Sequence, residues 1–186
     1  MIDDICLALI YVRDHINEHC QEADPNQIYL SGHSAGAHLI SLLILDRSHF
    51  LRHSLSLSSI SGVIPMSGIY TLRNPTHDSH TNIRSWIFRI LYSSNLIYPK
   101  GRNMIEYSPI EYINEHDELP PFLVMSAKFD MGLEVDAKRF VEKLKNCHHQ
   151  VEYIVINGTH ATIASKFSKN DAQKHFFTFI RQHMKY

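Results

Sequence analysis

Cysteine is scarce in this chain: Cys6, Cys20 and Cys147 are odd in number, scattered along 186 residues and nowhere arranged as C-x-x-C. That excludes a disulfide framework and a thiolate metal site, and leaves reduced, packing thiols as the expectation. Surplus charge is lacking as well. Lys plus Arg number 18 against 19 Asp plus Glu, for a net −1, so there is no broad basic field to hold nucleic acid or an anionic membrane. The expected partner is a small molecule. No apolar run approaches the length of a membrane span, and Met1-Ile2-Asp3-Asp4 lacks the basic start of a signal peptide, so a soluble, cytoplasmic protein is expected. Internal repeats, low-complexity tracts and domain linkers are absent too. With 44% hydrophobic residues the chain suits one globular domain over residues 1–186.

Histidine, by contrast, is plentiful, at 14 residues. His15-x-x-x-His19 would place two imidazoles on one helical face, but a zinc protease needs its glutamate directly after the first histidine and here the nearest is Glu18. A polar helix flank is the better reading, and the same holds for His148-His149. No metal is expected.

The stretch Ile28-Tyr29-Leu30-Ser31-Gly32-His33-Ser34-Ala35-Gly36-Ala37-His38 contains G-x-S-x-G between a short β-branched and aromatic run and a long apolar helical run. A nucleophile elbow has this context: the serine is held in a strained turn from strand to helix, its hydroxyl clear of the sheet, with small neighbours such as Gly32, Ala35, Gly36 and Ala37. Ser34 is the candidate nucleophile. The turn also brings the Ala35 N–H to a helix N-terminus, where the dipole favours negative charge on an attacked carbonyl oxygen. The competing reading is a glycine-bearing turn with an ordinary N-cap serine.

Along the chain, Ile5, Leu9, Val12 and Ile16 predict an amphipathic helix over residues 3–20. Residues 27–31 read as a short strand, 37–45 as an interior helix, and 62–66 as a buried strand weakened by Pro65. Residues 68–118 are rich in aromatics, including Tyr70, Trp86, Phe88, Tyr92, Tyr98, Tyr107 and Tyr112, with a helical piece at 83–91. They read equally as a cap over a substrate pocket or as packing on one sheet face. Residues 121–127 form the most apolar strand, 134–145 a helix, 151–156 a strand ended by the turn Asn157-Gly158-Thr159-His160, and Ala172, Phe176, Phe179 and Ile180 a closing helix. Alternation of this kind predicts an α/β protein, mostly a parallel sheet with helices on both faces.

In such sheets functional groups gather beyond the carboxyl ends of the strands, and Ser34, Asp130 and His160 each sit just past a predicted strand. Nucleophile, acid, histidine is the chain order of α/β-hydrolases. Glu134 and Asp136 are the rivals for the acid. Gly32 to His38, then Pro121 to Asp130, then Asn157 to His160 resemble the α/β-hydrolase esterase branch that includes kynurenine formamidases, prenylcysteine methylesterases and hormone-sensitive-lipase-like carboxylesterases, over nearly the whole chain. The resemblance implies that His160 is the general base for Ser34, that Asp130 fixes its tautomer, that Ala35 N–H supplies part of the oxyanion hole, and that neither metal nor organic cofactor takes part.

The family usually carries, upstream of the elbow, a His-Gly-Gly loop with the remaining oxyanion donors, and this sequence has none. The expected architecture is therefore a three-layer sandwich shortened at its N-terminal side, with residues 27–31 as a strand edge open to pairing with another chain. Two functions are in view: hydrolysis of a small carboxylic ester or aryl formamide through an acyl-enzyme on Ser34, and a non-catalytic module that binds or assembles through its open edge. An acyl transferase using the same intermediate is a variant of the first.

Overall fold

The computed structural model describes residues 1–72 and 103–184. At its centre lie β1 (Ile28–His33), β2 (Ile60–Met66), β3 (Phe122–Phe129) and β4 (Val151–Thr159), in the order β1-β2-β3-β4 with every neighbouring pair parallel. Parallel neighbours cannot be joined by a hairpin, so each connection has to cross a face of the sheet. α1 (Ile2–His19) precedes β1, α2 (Ala35–Leu45) and α3 (Ser48–Arg52) follow it, and α4 (Leu133–Asn146) links β3 to β4. α5 (Thr162–Ser165) and α6 (Ala172–His183) close the chain.

Strand side chains alternate between two apolar layers. Phe122 and Val124 of β3 pack with Leu43 and Ile44 of α2 and with Phe140 and Leu144 of α4. Leu123, Met125 and Ala127 point the other way, onto Ile163, Ala172 and Phe179. A strand buried on both faces has to be apolar at consecutive positions, which is why β2 is buried along its whole length and β3 reads as a nearly continuous run. α2 is buried at eight of its eleven residues, as its all-round apolar sequence predicts. No helix among the described residues is long and apolar enough to cross a membrane.

Several elements differ from their predicted form. The inner stripe of α1 runs through Cys6 and Leu9, while Val12 is exposed together with Leu7 and Tyr11. α1 packs chiefly on α3 and the core edge, which leaves its outer apolar residues exposed. β1 continues through Gly32 to His33, and β4 continues through Asn157 and Gly158 to Thr159, since pairing with β2 and β3 outweighs the turn-forming residues at their ends. Pro65 sits in the interior of β2 without breaking it. The amides of Val63 and Ser67 donate towards β3, to Pro121 O and Met125 O, so alternation points position 65 that way too. There the ladder registers only Val63 with Phe122 and Met66 with Met125, and the missing N–H falls in the gap.

The predicted helix at 83–91, with Trp86, Phe88, Tyr92 and Tyr98, lies outside the described residues. On either side of it the chain is firmly anchored. Tyr70 is fully buried and stacked on Phe140 at 4.1 Å. Ser108 Oγ accepts from Leu72 N–H at 2.7 Å and donates to Leu72 O at 3.1 Å, so two points far apart in sequence are neighbours. Asp136 in α4 adds a buried carboxylate oxygen that accepts from Tyr70 N–H at 2.7 Å and Thr71 N–H at 3.1 Å.

His38 is the buried imidazole of α2, donating Nδ1–H to Ile69 O at 2.9 Å. Burial pushes its protonation below the ordinary histidine range, against the opposing pull of that carbonyl and of Asp136. The unfolded chain therefore takes up a proton at this residue as pH falls through about 6.5, while the folded chain resists, and stability is lost on the acid side of that value. His38→Asn keeps a donor in the place of Nδ1 without titrating. Urea unfolding at about pH 7.5 and about pH 5.5 should show a smaller loss of midpoint for the variant than for the wild type. Equal losses would clear His38 of the effect.

Candidate active site

Ser34 turns the chain between the end of β1 and the start of α2, with φ 55° and ψ −115°. A residue with a Cβ adopts such a conformation against a strain of about 1–3 kcal/mol. Its N–H donates to Met66 O on β2 at 2.9 Å, and its carbonyl accepts from His38 N–H at 3.1 Å. Gly32 allows strand and helix to meet: a Cβ there would lie 2.5 Å from both C and O of Gly36 and 2.9 Å from Ala37 N. Gly36 differs from the expectation, since a Cβ on it would meet nothing within 4 Å. The steric need belongs to Gly32, at the crossing point, while position 36 faces open space.

The Ser34 side chain makes no capping bond to α2. An ordinary N-cap role is thereby removed, and the hydroxyl lies instead 3.0 Å from His160 Nε2. His160 follows β4, in a turn where Thr162 Oγ1 accepts from Thr159 N–H at 2.8 Å and Asn170 Nδ2 donates to Thr162 O at 3.1 Å. On its other side His160 Nδ1 lies 2.7 Å from Asp130 Oδ1. A carboxylate only accepts, so Nδ1 carries the hydrogen and the Nε2 lone pair is left facing the serine hydroxyl.

Asp130 comes directly after β3 and is 1% exposed. Left-handed Met131 (φ 53°) and Gly132 (φ 87°) then swing the chain into α4. Asp130 Oδ2 accepts from Ala127 N–H at 3.3 Å, which ties the carboxylate back onto its own strand. Of the two rival acids, Asp136 serves the backbone of Tyr70 and Thr71, and Glu134 stands in the first turn of α4. Ala35 is exposed at the first position of α2, where its N–H has no carbonyl four residues back within the helix.

His33 was missed by sequence reasoning. Its Nε2 lies 2.8 Å from the carbonyl oxygen of His160 and its ring centroid 4.8 Å from that of His160. Its sole signal was to occupy the first of the two free positions of G-x-S-x-G. His15, read as part of a polar helix flank, lies 2.9 Å from Glu18 on the exposed face of α1. A cleft of about 670 Å³ also exists, but at the opposite, amino ends of the strands, where Arg47, Ser61 and Gln150 contribute to its wall.

A family model described as the α/β-hydrolase fold matches residues 1–164. The chain belongs to the α/β-hydrolase family. This α/β-hydrolase is 27% identical over 176 residues to a probable isoprenylcysteine alpha-carbonyl methylesterase of Arabidopsis thaliana, covering 88% of the chain and 36% of that protein. It is 28% identical over 156 residues to LipM, a probable carboxylic ester hydrolase of Mycobacterium tuberculosis, covering 80% of the chain and 34% of that protein. A thermostable esterase from Pseudomonas putida superposes with a TM-score of 0.74 at 18% identity, over 100% of the chain and 59% of the esterase, a likeness of fold. The chain thus spans about a third of the length of these curated relatives.

The two elbow glycines of this α/β-hydrolase should separate by mutation. Gly32→Ala forces a methyl into backbone and should cost about 1–3 kcal/mol. Gly36→Ala fills open space in the first turn of a helix and should stabilise by up to about 1 kcal/mol. Denaturant unfolding of both variants checks this, and equal costs would show that the crossing at Gly32 is not the tight point.

Proposed function

We propose that this chain carries the nucleophile, base and acid of a serine hydrolase that cleaves a small carboxylic ester through an acyl-enzyme on Ser34. The observation that supports this reading best is the His160 imidazole between Asp130 Oδ1 at 2.7 Å and Ser34 Oγ at 3.0 Å. In the proposed reaction His160 Nε2 takes the Ser34 proton as Oγ attacks the ester carbonyl, then returns it to the departing alcohol. Asp130, buried and bonded to Nδ1, stabilises the imidazolium that forms between those events. Ala35 N–H serves as one oxyanion donor, aided by the N-terminal end of α2. Each donor removed from such a hole lowers the rate by about a hundred- to a thousandfold.

Ester chemistry is favoured by the likeness to the methylesterase and carboxylic ester hydrolase relatives. An aryl formamide would pass through the same steps with an amine leaving, and an alcohol in place of water would make the reaction a transfer. The stretch 68–118 reads equally as a cap or as packing on one sheet face, and of it the described Tyr70 and Ser108 are anchored beside the sheet.

Labelling of Ser34 by a fluorophosphonate probe tests the reading. Ser34→Ala and His160→Ala should each abolish labelling, and Asp130→Asn should lower ester turnover by about 10⁴-fold. A folded wild type that stays unlabelled would overturn it. Labelled protein can then be offered esters, an aryl formamide, and esters with added alcohol.

A second reading, assembly through a strand edge, is favoured by one observation: among the described residues β1 pairs on one side only. The Ser34 amide donates to β2, so by alternation the amides of Tyr29, Ser31 and His33 point to the free side. Sedimentation velocity should show a concentration-dependent dimer that Ser31→Pro, which removes one outward donor, returns to monomer. A monomer at every concentration would dismiss self-pairing.

A further inference from the structure

We propose that His33 is a positioning residue for His160, needed most after the serine has been acylated. The inference rests on the reading of Ser34 and His160 as nucleophile and base. β1 and β4 are the two outer strands of the described sheet, separated by β2 and β3. Three strand spacings put their axes about 14 Å apart. The residues that follow them have to lean inwards over the sheet end to meet, and something has to hold them there. Asp130 holds the Nδ1 side of His160, from β3. The Ser34 hydroxyl holds the Nε2 side, from β1.

That second tie is consumed by the reaction. Once Oγ is esterified it has no hydrogen to donate, and the Nε2 side of the imidazole loses its protein partner. The His33 bond does not involve a reacting atom. Nε2–H of His33 donates to the backbone carbonyl of His160 at 2.8 Å, and the tautomer is fixed because a carbonyl only accepts. The two rings lie 4.8 Å apart at 43°, so the His33 ring also limits how far the His160 ring can swing. Since His33 is covalently next to Ser34, the bond couples the elbow to the base through main chain that stays unchanged by acylation. In deacylation, His160 Nε2 takes a proton from water as the water oxygen attacks the acyl carbon. The tetrahedral intermediate then collapses, Ser34 Oγ leaves with that proton, and the carboxylic acid is released. This is the half-reaction that meets the imidazole without its serine tie.

The test is stopped-flow hydrolysis of p-nitrophenyl acetate by wild type, His33→Leu, His33→Gln and His33→Asn, with circular dichroism and a melt to confirm folding. Leucine removes the donor, glutamine carries an N–H at the reach of Nε2, and asparagine carries one only at the reach of Nδ1. Since a misplacement of about 1 Å costs about a hundredfold, His33→Leu should slow deacylation about ten- to a hundredfold, with acylation affected less. The p-nitrophenol burst should rise accordingly. Glutamine should recover deacylation to within about threefold of wild type and asparagine should not. Wild-type deacylation in His33→Leu would overturn the positioning role alone. If His33→Leu fails to fold, equal deacylation by the glutamine and asparagine variants would overturn it. A folded wild type with neither burst nor turnover and no fluorophosphonate labelling would overturn the proposed function and this role with it.

Discussion

The left-handed backbone of Ser34 is a local conformation that no local interaction explains. A strain of about 1–3 kcal/mol has to be offset elsewhere, and the structure shows where. On one side the Ser34 amide is locked into the β1–β2 ladder through Met66 O. On the other, α2 starts at the very next residue and buries Ile40, Leu42, Leu43, Ile44 and Leu45. Each such side chain is worth about 1.5–3 kcal/mol when fully buried, so strand and helix together readily hold the turn between them. Gly32 is the place where the two elements touch, and the contact is backbone to backbone. The hydroxyl that emerges makes no capping bond to the helix and lies beside His160 Nε2.

Sheet order does the remaining assembly. With parallel strands, all four carboxyl ends lie at one edge, so polar residues just past β1, β3 and β4 face a common space. Local bonds at each strand end and bonds between residues that follow different strands then set the distances. Asp130 is pinned to its own strand through Ala127 N–H, His160 is turned by Thr159 and Thr162, and the imidazole bridges the gap between β3 and β1. Tyr70 and Thr71, directly beyond β2, are fixed by a carboxylate from α4. That buried bond explains why an acidic residue so close in sequence to Asp130 plays a different part.

Legibility in the sequence followed how local each cause was. β3 and α2 were readable because burial on both faces demands unbroken apolar runs. Ser34, Asp130 and His160 were readable because each directly follows a strand, in an order that few architectures use. The extent of β4 was misread, since Asn157 and Gly158 favour a turn and the pairing with β3 is stronger than that preference. Pro65 looked like an obstacle, and its missing N–H falls where the ladder has no partner for it. Val12 looked buried by period alone, but a helix period says which residues share a face and nothing about what covers it.

Sequence by itself therefore determined the alternation of strand and helix, the elbow with its small neighbours, and the placing of Ser34, Asp130 and His160 just past three strands. Each of these rests on composition and spacing within a few turns of chain. Only the tertiary structure decided which of the elbow glycines is sterically required, that Asp136 serves the main chain, that β1 has a free edge among the described residues, and that His33 reaches the carbonyl of His160. Those facts depend on distances between residues up to 127 apart in the chain. Sheet order sets such distances, and no stretch of sequence carries it alone.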